Sequence, residues 1–321
     1  MKEFLKNILS IVLPIAFVAY PADVIISYQL KKNNTFASGE YSTWNDLYHG
    51  DINAEMLIYG SSRAWVHIDP EMLEKNFERK TYNLGIDGHN FWLQLLRHKT
   101  YSQLNLKPKY IIYYLDVHTL SKREDLFNLE QFIPYMLFNT EIKEYTSSYD
   151  GFSNVDFNVP IVRFRRVKNL LSGLVNSFNS EPMRIKGFYG VDRTWNNDLL
   201  NAQKENEDYQ VIQDSVSIGL FHKFLTECKE SNIKIIFVYT PEYIDGQNFV
   251  KNREEIFSQF TILSEKFDIP FLNYSNDDIC SKKEYFYNAS HLNEKGSEIF
   301  TQKLVKDLKS RNLILIKDLY E

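Results

Sequence analysis

Three side chains in this sequence are of the types that nucleophilic acyl transfer needs. Ser62 closes Gly60-Ser61-Ser62, directly after the apolar run Met56-Leu57-Ile58-Tyr59, and His291 lies far along the chain in Asn288-Ala289-Ser290-His291-Leu292-Asn293. A serine hydroxyl attacks an acyl carbon well only when a neighbouring base takes its proton, and an imidazole can take that proton and later return it to the leaving group. Asn288 sits on the same loop as His291 and is placed to hold the second ring nitrogen. Gly85 lies at the end of a second candidate strand, where the absence of a side chain lets backbone approach closely. Its amide and that of Ser62 are the predicted oxyanion donors. Arg63, beside Ser62, is a candidate anchor for an anionic or sugar group, or else the partner of an acid. Asp116, after the third apolar run, is a second candidate for substrate binding.

Other residues have the right chemistry in less telling places. An amide at position 288 orients an imidazole but adds no charge to balance an imidazolium, so Asp277 and Asp278 are the alternative candidates for a carboxylate in that role. His67, His89 and His118 follow candidate strands, yet their spacing does not make a zinc triad, and structural roles are expected for them. Cys228 and Cys280 alone make neither a disulfide scaffold nor a cysteine-built metal site. No metal and no organic cofactor is expected.

For these groups to meet, the chain must alternate strands with helices. Met56–Tyr59, Lys80–Leu84, Tyr110–Leu115, Ile233–Tyr239 and Ile269–Tyr274 read as strands. Helices are predicted from about Asn90 to Ser102, Gln210 to Ser231, Arg253 to Phe267 and Glu294 to Arg311, the last behind the N-cap Asn293. Continuous apolar strands between helices imply an α/β fold with a mostly parallel sheet covered on both faces. In such sheets the ligand crevice lies beyond the carboxyl ends of the strands, where Ser62, Gly85 and Asp116 fall. The rhythm lapses over 121–207, a stretch rich in Phe, Tyr and Asn with the basic cluster Arg163, Arg165, Arg166 and Lys168. This stretch reads as an aromatic-rich insertion, its basic cluster as a solvated face and its aromatics as packing groups first.

The chain has 321 residues, 44% hydrophobic and 25% charged, with Lys+Arg 37 against Asp+Glu 42 for a net charge of -5. That length is enough for one large domain or two small ones, and the charge balance argues against a nucleic-acid protein. Residues 8–27 form an apolar run broken only by Pro14, Pro21 and Asp23, just long enough to span a bilayer. No convincing cleavage site follows it, so an uncleaved anchor is expected, with Asp23 solvated near its distal end. The predicted organisation is a membrane anchor over 1–28, a linker over 29–50, an α/β domain in two parts over 51–120 and 208–321, and the insertion between them.

Taken together, these motifs resemble those of the SGNH/GDSL hydrolase superfamily. Gly60-Ser61-Ser62 is similar to its Gly-Asp-Ser block, Tyr82-Asn83-Leu84-Gly85 to its second block, and Asn288 through Gly296 to its terminal Asp-x-x-His block. The Gly-Ser-Ser-Arg form and the anchor are most similar to the branch that includes alginate O-acetylation and teichoic-acid D-alanylation proteins. The resemblance covers Asp51 to about Leu120 and Gln210 to Arg311 and leaves the insertion aside. It implies a three-layer αβα, flavodoxin-like domain with Ser62, His291 and the residue at 288 as the catalytic set. It also implies an esterase or O-acyltransferase, acetyl foremost, acting on a cell-envelope polysaccharide from an extracytoplasmic position. A membrane-bound O-acyltransferase is the partner that the resemblance suggests. The sequence departs from the family at two places: Asp116 stands where the family has an oxyanion-donating Asn, and Asn288 where it has the triad Asp. Those departures support a rival expectation, a catalytically silent glycan-binding or scaffold module.

Overall fold

Met56–Tyr59 (β1) and Tyr110–Tyr114 (β3) contain only residues that are fully buried, so neither strand alternates between polar and apolar. Burial on both faces requires helices on both sides, the arrangement of a parallel sheet. A computed structural model describes residues 1–88, 91–175, 181–206 and 208–317, with residues 2 and 4–16 described by their backbone alone. Thr81–Asn83 (β2), Lys234–Tyr239 (β4) and Phe271–Asn273 (β5) complete a five-stranded sheet in the order β2-β1-β3-β4-β5. Every pair is parallel, with Ile58 opposite both Asn83 and Ile112, and Tyr113 opposite Phe237. The chain leaves β1 to one side for β2 and to the other for β3. A switch point therefore opens between the ends of β1 and β3, the flavodoxin-like order expected above.

Two compact units emerge, residues 46–122 with 184–321 and residues 1–45 with 123–183. In the first, alternate strand residues face opposite layers. Met56, Ile58, Ile112, Tyr114, Ile236 and Val238 pack with Leu73, Phe77, Phe300 and Leu304 of helices Pro70–Phe77 and Glu294–Ser310. On the other face, Tyr59, Tyr113 and Phe237 meet Phe91, Phe221 and Phe224 of helices Phe91–Leu104 and Ser215–Glu230 in a network of edge-on and tilted rings. Helix Arg253–Phe267 joins that layer through Phe257 against Tyr239. The strands and the last helix stand close to their expected ranges. Helix Ser215–Glu230 starts later than expected because Asp214 caps it, accepting from Ser217 N at 2.8 Å. Helix Pro70–Phe77, not anticipated, carries a clear start signal in Asp69 as N-cap and Pro70 in its first turn. Asn90 and His89 lie outside the described residues.

The second unit is built round helix Lys2–Lys31, which contains the apolar run 8–27. Among the described residues no helix is long and apolar enough to cross a membrane. Asp23, expected to be solvated, is instead buried and bound by the Arg163 guanidinium, and Arg163 Nη2 also donates to Ser27 Oγ at 2.8 Å. Arg163 Nε donates to the carbonyl of Ile133 at 2.6 Å, so a residue expected on a solvated basic face is a core cation. The reason is charge pairing, since neither group could be buried alone. The stretch 184–206, read from sequence as part of the insertion, groups with the α/β unit.

Candidate active site

The switch-point end of the sheet places the predicted groups. Gly60 leaves β1 at a φ of +140°, and a Cβ there would lie 2.8 Å from the Tyr114 side chain, so only glycine makes this turn. The next residue, Ser61, caps the short helix Ser62–His67 and leaves Ser62 as its first residue. Ser62 Oγ lies 2.9 Å from His291 Nε2, across 229 residues of chain. His291 Nδ1 lies 3.0 Å from Asn288 Oδ1, which also accepts the backbone N–H groups of Ser290 at 3.1 Å and His291 at 2.8 Å. Those two amides identify the atom facing the ring as the acceptor oxygen of Asn288. The ring nitrogen beside it must then carry its hydrogen, and Nε2 is left to accept from the Ser62 hydroxyl, as a general base requires.

Electrostatics keep that base neutral. The His291 pKa is lowered to about 3, chiefly by burial of the imidazole and next by the Arg63 charge, with Glu242 partly opposing them. Arg63 is itself buried, with Nη1 3.5 Å from Glu242 Oε1 and Nη2 donating to Thr240 O at 3.4 Å. Of the two roles weighed for Arg63, pairing with an acid is the one observed. Glu242 in turn accepts from Tyr239 OH at 2.6 Å and Arg253 Nη1 at 2.8 Å. Burial alone would raise its pKa, but the two arginines and the phenol hold it below the usual carboxylate range.

His67 fixes the loop that carries His291. Its Nε2 accepts the Leu292 amide at 2.9 Å, so Nδ1 bears the hydrogen and donates to Thr240 Oγ1 at 2.7 Å. Burial, then the charges of Arg63 and His291, push its pKa well below the histidine range. A structural role was expected for His67; Glu242 and Thr240 were not singled out. Their signal was their place in Thr240-Pro241-Glu242 directly after β4, where a parallel sheet presents its ligand end.

Three expectations need correction. Gly85 N donates to Asn83 Oδ1 at 3.0 Å, and Asn83 Nδ2 is tied to the carbonyls of Ala64 at 2.8 Å and Ile68 at 2.9 Å. The Gly85 amide is therefore committed and does not pair with that of Ser62 as an oxyanion donor. Its lack of a side chain serves packing, since a Cβ would lie 2.8 Å from Trp65 N and 2.9 Å from Ser61 O. Asp116, the second candidate for substrate binding, has both carboxylate oxygens engaged within the fold. Its Oδ2 accepts from Ser61 Oγ at 2.6 Å and its Oδ1 from His118 N at 2.8 Å, so the carboxylate bridges the ends of β1 and β3 and braces the turn before Ser62. Asp277 stands apart as the cap of the turn at Ile279, ion-paired with Lys303. Among the described residues no cluster of His, Cys, Asp and Glu is arranged to hold a metal.

What the fold and site define is an α/β protein with a Ser–His–Asn relay at the switch point of a parallel sheet. No family model matches the chain, and no curated protein does. Among solved structures it is similar to a GDSL-like lipase from Bacteroides thetaiotaomicron, at 13% identity and a TM-score of 0.38, over 83% of this chain and 96% of that one. It is also similar to an acetyl xylan esterase from the rumen bacterium Butyrivibrio proteoclasticus, at 12% identity and a TM-score of 0.32, over 80% of this chain and 63% of that one. Similarity of this degree leaves the chemistry to be read from the site's own geometry.

Proposed function

We propose that this protein is an SGNH-like serine esterase or O-acyltransferase that works through an acyl-enzyme on Ser62. The observation that carries the reading is the relay of Ser62 Oγ, His291 and Asn288 Oδ1, with contacts of 2.9 and 3.0 Å and the tautomer that makes Nε2 the base. In the reaction, Nε2 takes the hydroxyl proton as Ser62 Oγ bonds to the acyl carbon. The Ser62 amide, at the first position of its helix, donates to the developing oxyanion. When the tetrahedral centre collapses, the C–O bond to the leaving alcohol breaks and that oxygen receives the proton from Nε2. Water or an acceptor hydroxyl then repeats the sequence in reverse and frees Ser62.

The substrate class proposed is an acyl ester, acetyl foremost, of a cell-envelope polysaccharide, on the strength of the family resemblance. The same resemblance supports an extracytoplasmic position and a membrane-bound O-acyltransferase partner. Membrane attachment through the N-terminal helix is supported by its outward apolar side chains, Phe17, Val18, Val24, Ile25 and Tyr28, which continue the apolar run 8–16. A second reading, a silent glycan-binding module, is favoured by the committed Gly85 amide and by the uncharged residue at 288. Hydrolysis of a small acetyl ester by wild type and by Ser62→Ala decides between them. Turnover lost in a folded Ser62→Ala protein supports the enzyme; equal turnover in both overturns the Ser62 assignment, and none in either supports the module.

A further inference from the structure

The relay leaves one requirement unmet. When His291 takes the Ser62 proton it becomes a cation, and the groups on its other nitrogen, the Asn288 amide and the Ser290 hydroxyl at 3.1 Å, are both neutral. Of the charged groups near the ring, Arg63 opposes that cation, while Glu242 favours it but is already divided between Arg63 and Arg253. His67 meets the imidazole edge-on, with centroids 6.0 Å apart and planes at 87°, and it is neutral with both nitrogens engaged.

A further neighbour is an aromatic face. Tyr287 lies parallel to the imidazole, with ring centroids 5.2 Å apart and planes at 15°. The chain reverses between them: Tyr287 N donates to His291 O at 3.1 Å, and Phe286 bridges Leu292, so positions 287 and 291 fall side by side. Tyr287 packs against the buried cluster of Trp65, Val66 and Val191, and Asn196 N donates to Tyr287 O at 2.9 Å. The charges that bear on Tyr287 itself are Asp87, Arg193 and Asp198. Burial and then Asp87 push its pKa up, so the phenol stays neutral. A neutral aromatic face carries negative charge density that attracts a cation within about 6 Å of its centroid.

We propose that the ring of Tyr287 is a positioning residue that stabilises the protonated form of His291, taking over part of the role a carboxylate would have at position 288. This rests on the relay reading for its catalytic meaning, but the interaction itself is a property of the folded chain. The stack also restrains the imidazole plane, which keeps Nε2 directed at Ser62 Oγ.

The test is the titration of the His291 imidazole, followed by NMR in the full chain. It is done in an Asn288→Asp background, where the added carboxylate lifts the transition to a pH at which the fold persists. Tyr287→Phe keeps the aromatic face and should leave the midpoint in place. Tyr287→Leu keeps an apolar cover and removes the face, so the midpoint should fall by about half a unit to one and a half units. Tyr287→Met is the second apolar replacement should the Leu variant not fold. An unchanged midpoint in the apolar variants, or a higher one, overturns the proposal, because it would show the ring to be only a desolvating cover. In the wild-type background Tyr287→Leu should lower kcat about 3- to 30-fold with KM unchanged. A midpoint that falls without ester turnover in any variant would sink the esterase reading and leave the stacking interaction standing.

Discussion

Replacing Asn288 by Asp should turn a neutral relay into a charged one. The change exchanges one amide nitrogen for oxygen, and the acceptor atom already receives the Ser290 and His291 amides, so an ionised carboxylate finds its hydrogen bonds in place. Two opposite charges about 4 Å apart interact by about 4 kcal/mol at an effective dielectric near 20, or about three pKa units. Both side chains are half-buried, so solvent screening reduces this to about two units. The His291 pKa should therefore rise from about 3 to about 5. The reverse substitution in a serine protease costs on the order of ten-thousand-fold in turnover, and the screened figure here corresponds to a gain of about a hundred-fold. The assay is acetyl-ester hydrolysis followed from about pH 4 to 9, a window that holds the acid limb expected of the variant at about 5 and lies above that of the wild type. The expected result is a faster enzyme whose acid limb has moved upward. A variant with wild-type turnover and no acid limb in that window would show that no imidazolium forms in the rate-limiting step.

Acid should destabilise the fold through three histidines. Burial depresses His67 and His291, and holds His98 at about 4 against an ordinary 6.5. The unfolded chain takes up these protons before the folded one does, so stability present above pH 6.5 is lost as pH falls toward 4, by up to about 4 kcal/mol per pH unit. Urea midpoints that stay flat across that window would contradict this; a His98→Gln variant should show a shallower slope. Gly85→Ala should cost about 1–3 kcal/mol, because the new methyl meets backbone at Trp65 N and Ser61 O, and thermal unfolding measures it. Asp23→Asn should cost about 3–5 kcal/mol by stranding the buried Arg163, and an Asp23→Leu, Arg163→Met pair should recover most of it. Limited proteolysis within 1–45 and 123–183 reads that loss directly.

How far the sequence could be read depended on the range of the interaction. The strands Met56–Tyr59 and Tyr110–Tyr114 were visible because burial on both faces removes polar residues from a short segment. Ser62, His291 and Asn288 were visible because their strand end and loop carry local patterns that place them in a parallel sheet. The Arg163–Asp23 pair was not, because 140 residues separate its members and each alone looks like surface. The same holds for Arg63 with Glu242, where the choice between substrate anchor and ion pair depends on the end of another strand. Gly85 shows a third case. Glycine was needed there, as the sequence suggested, but for a close helix contact, while Asn83, two residues earlier, uses its amide.

Whether Ser62 is an activated nucleophile can be tested before any substrate is known. The purified protein is treated with a fluorophosphonate, and the modified peptide is mapped by mass spectrometry. A single adduct on Ser62 is expected, and it should be lost in His291→Ala, whose fold is checked by circular dichroism. No adduct on a folded sample, or an adduct on another serine, would contradict that activation.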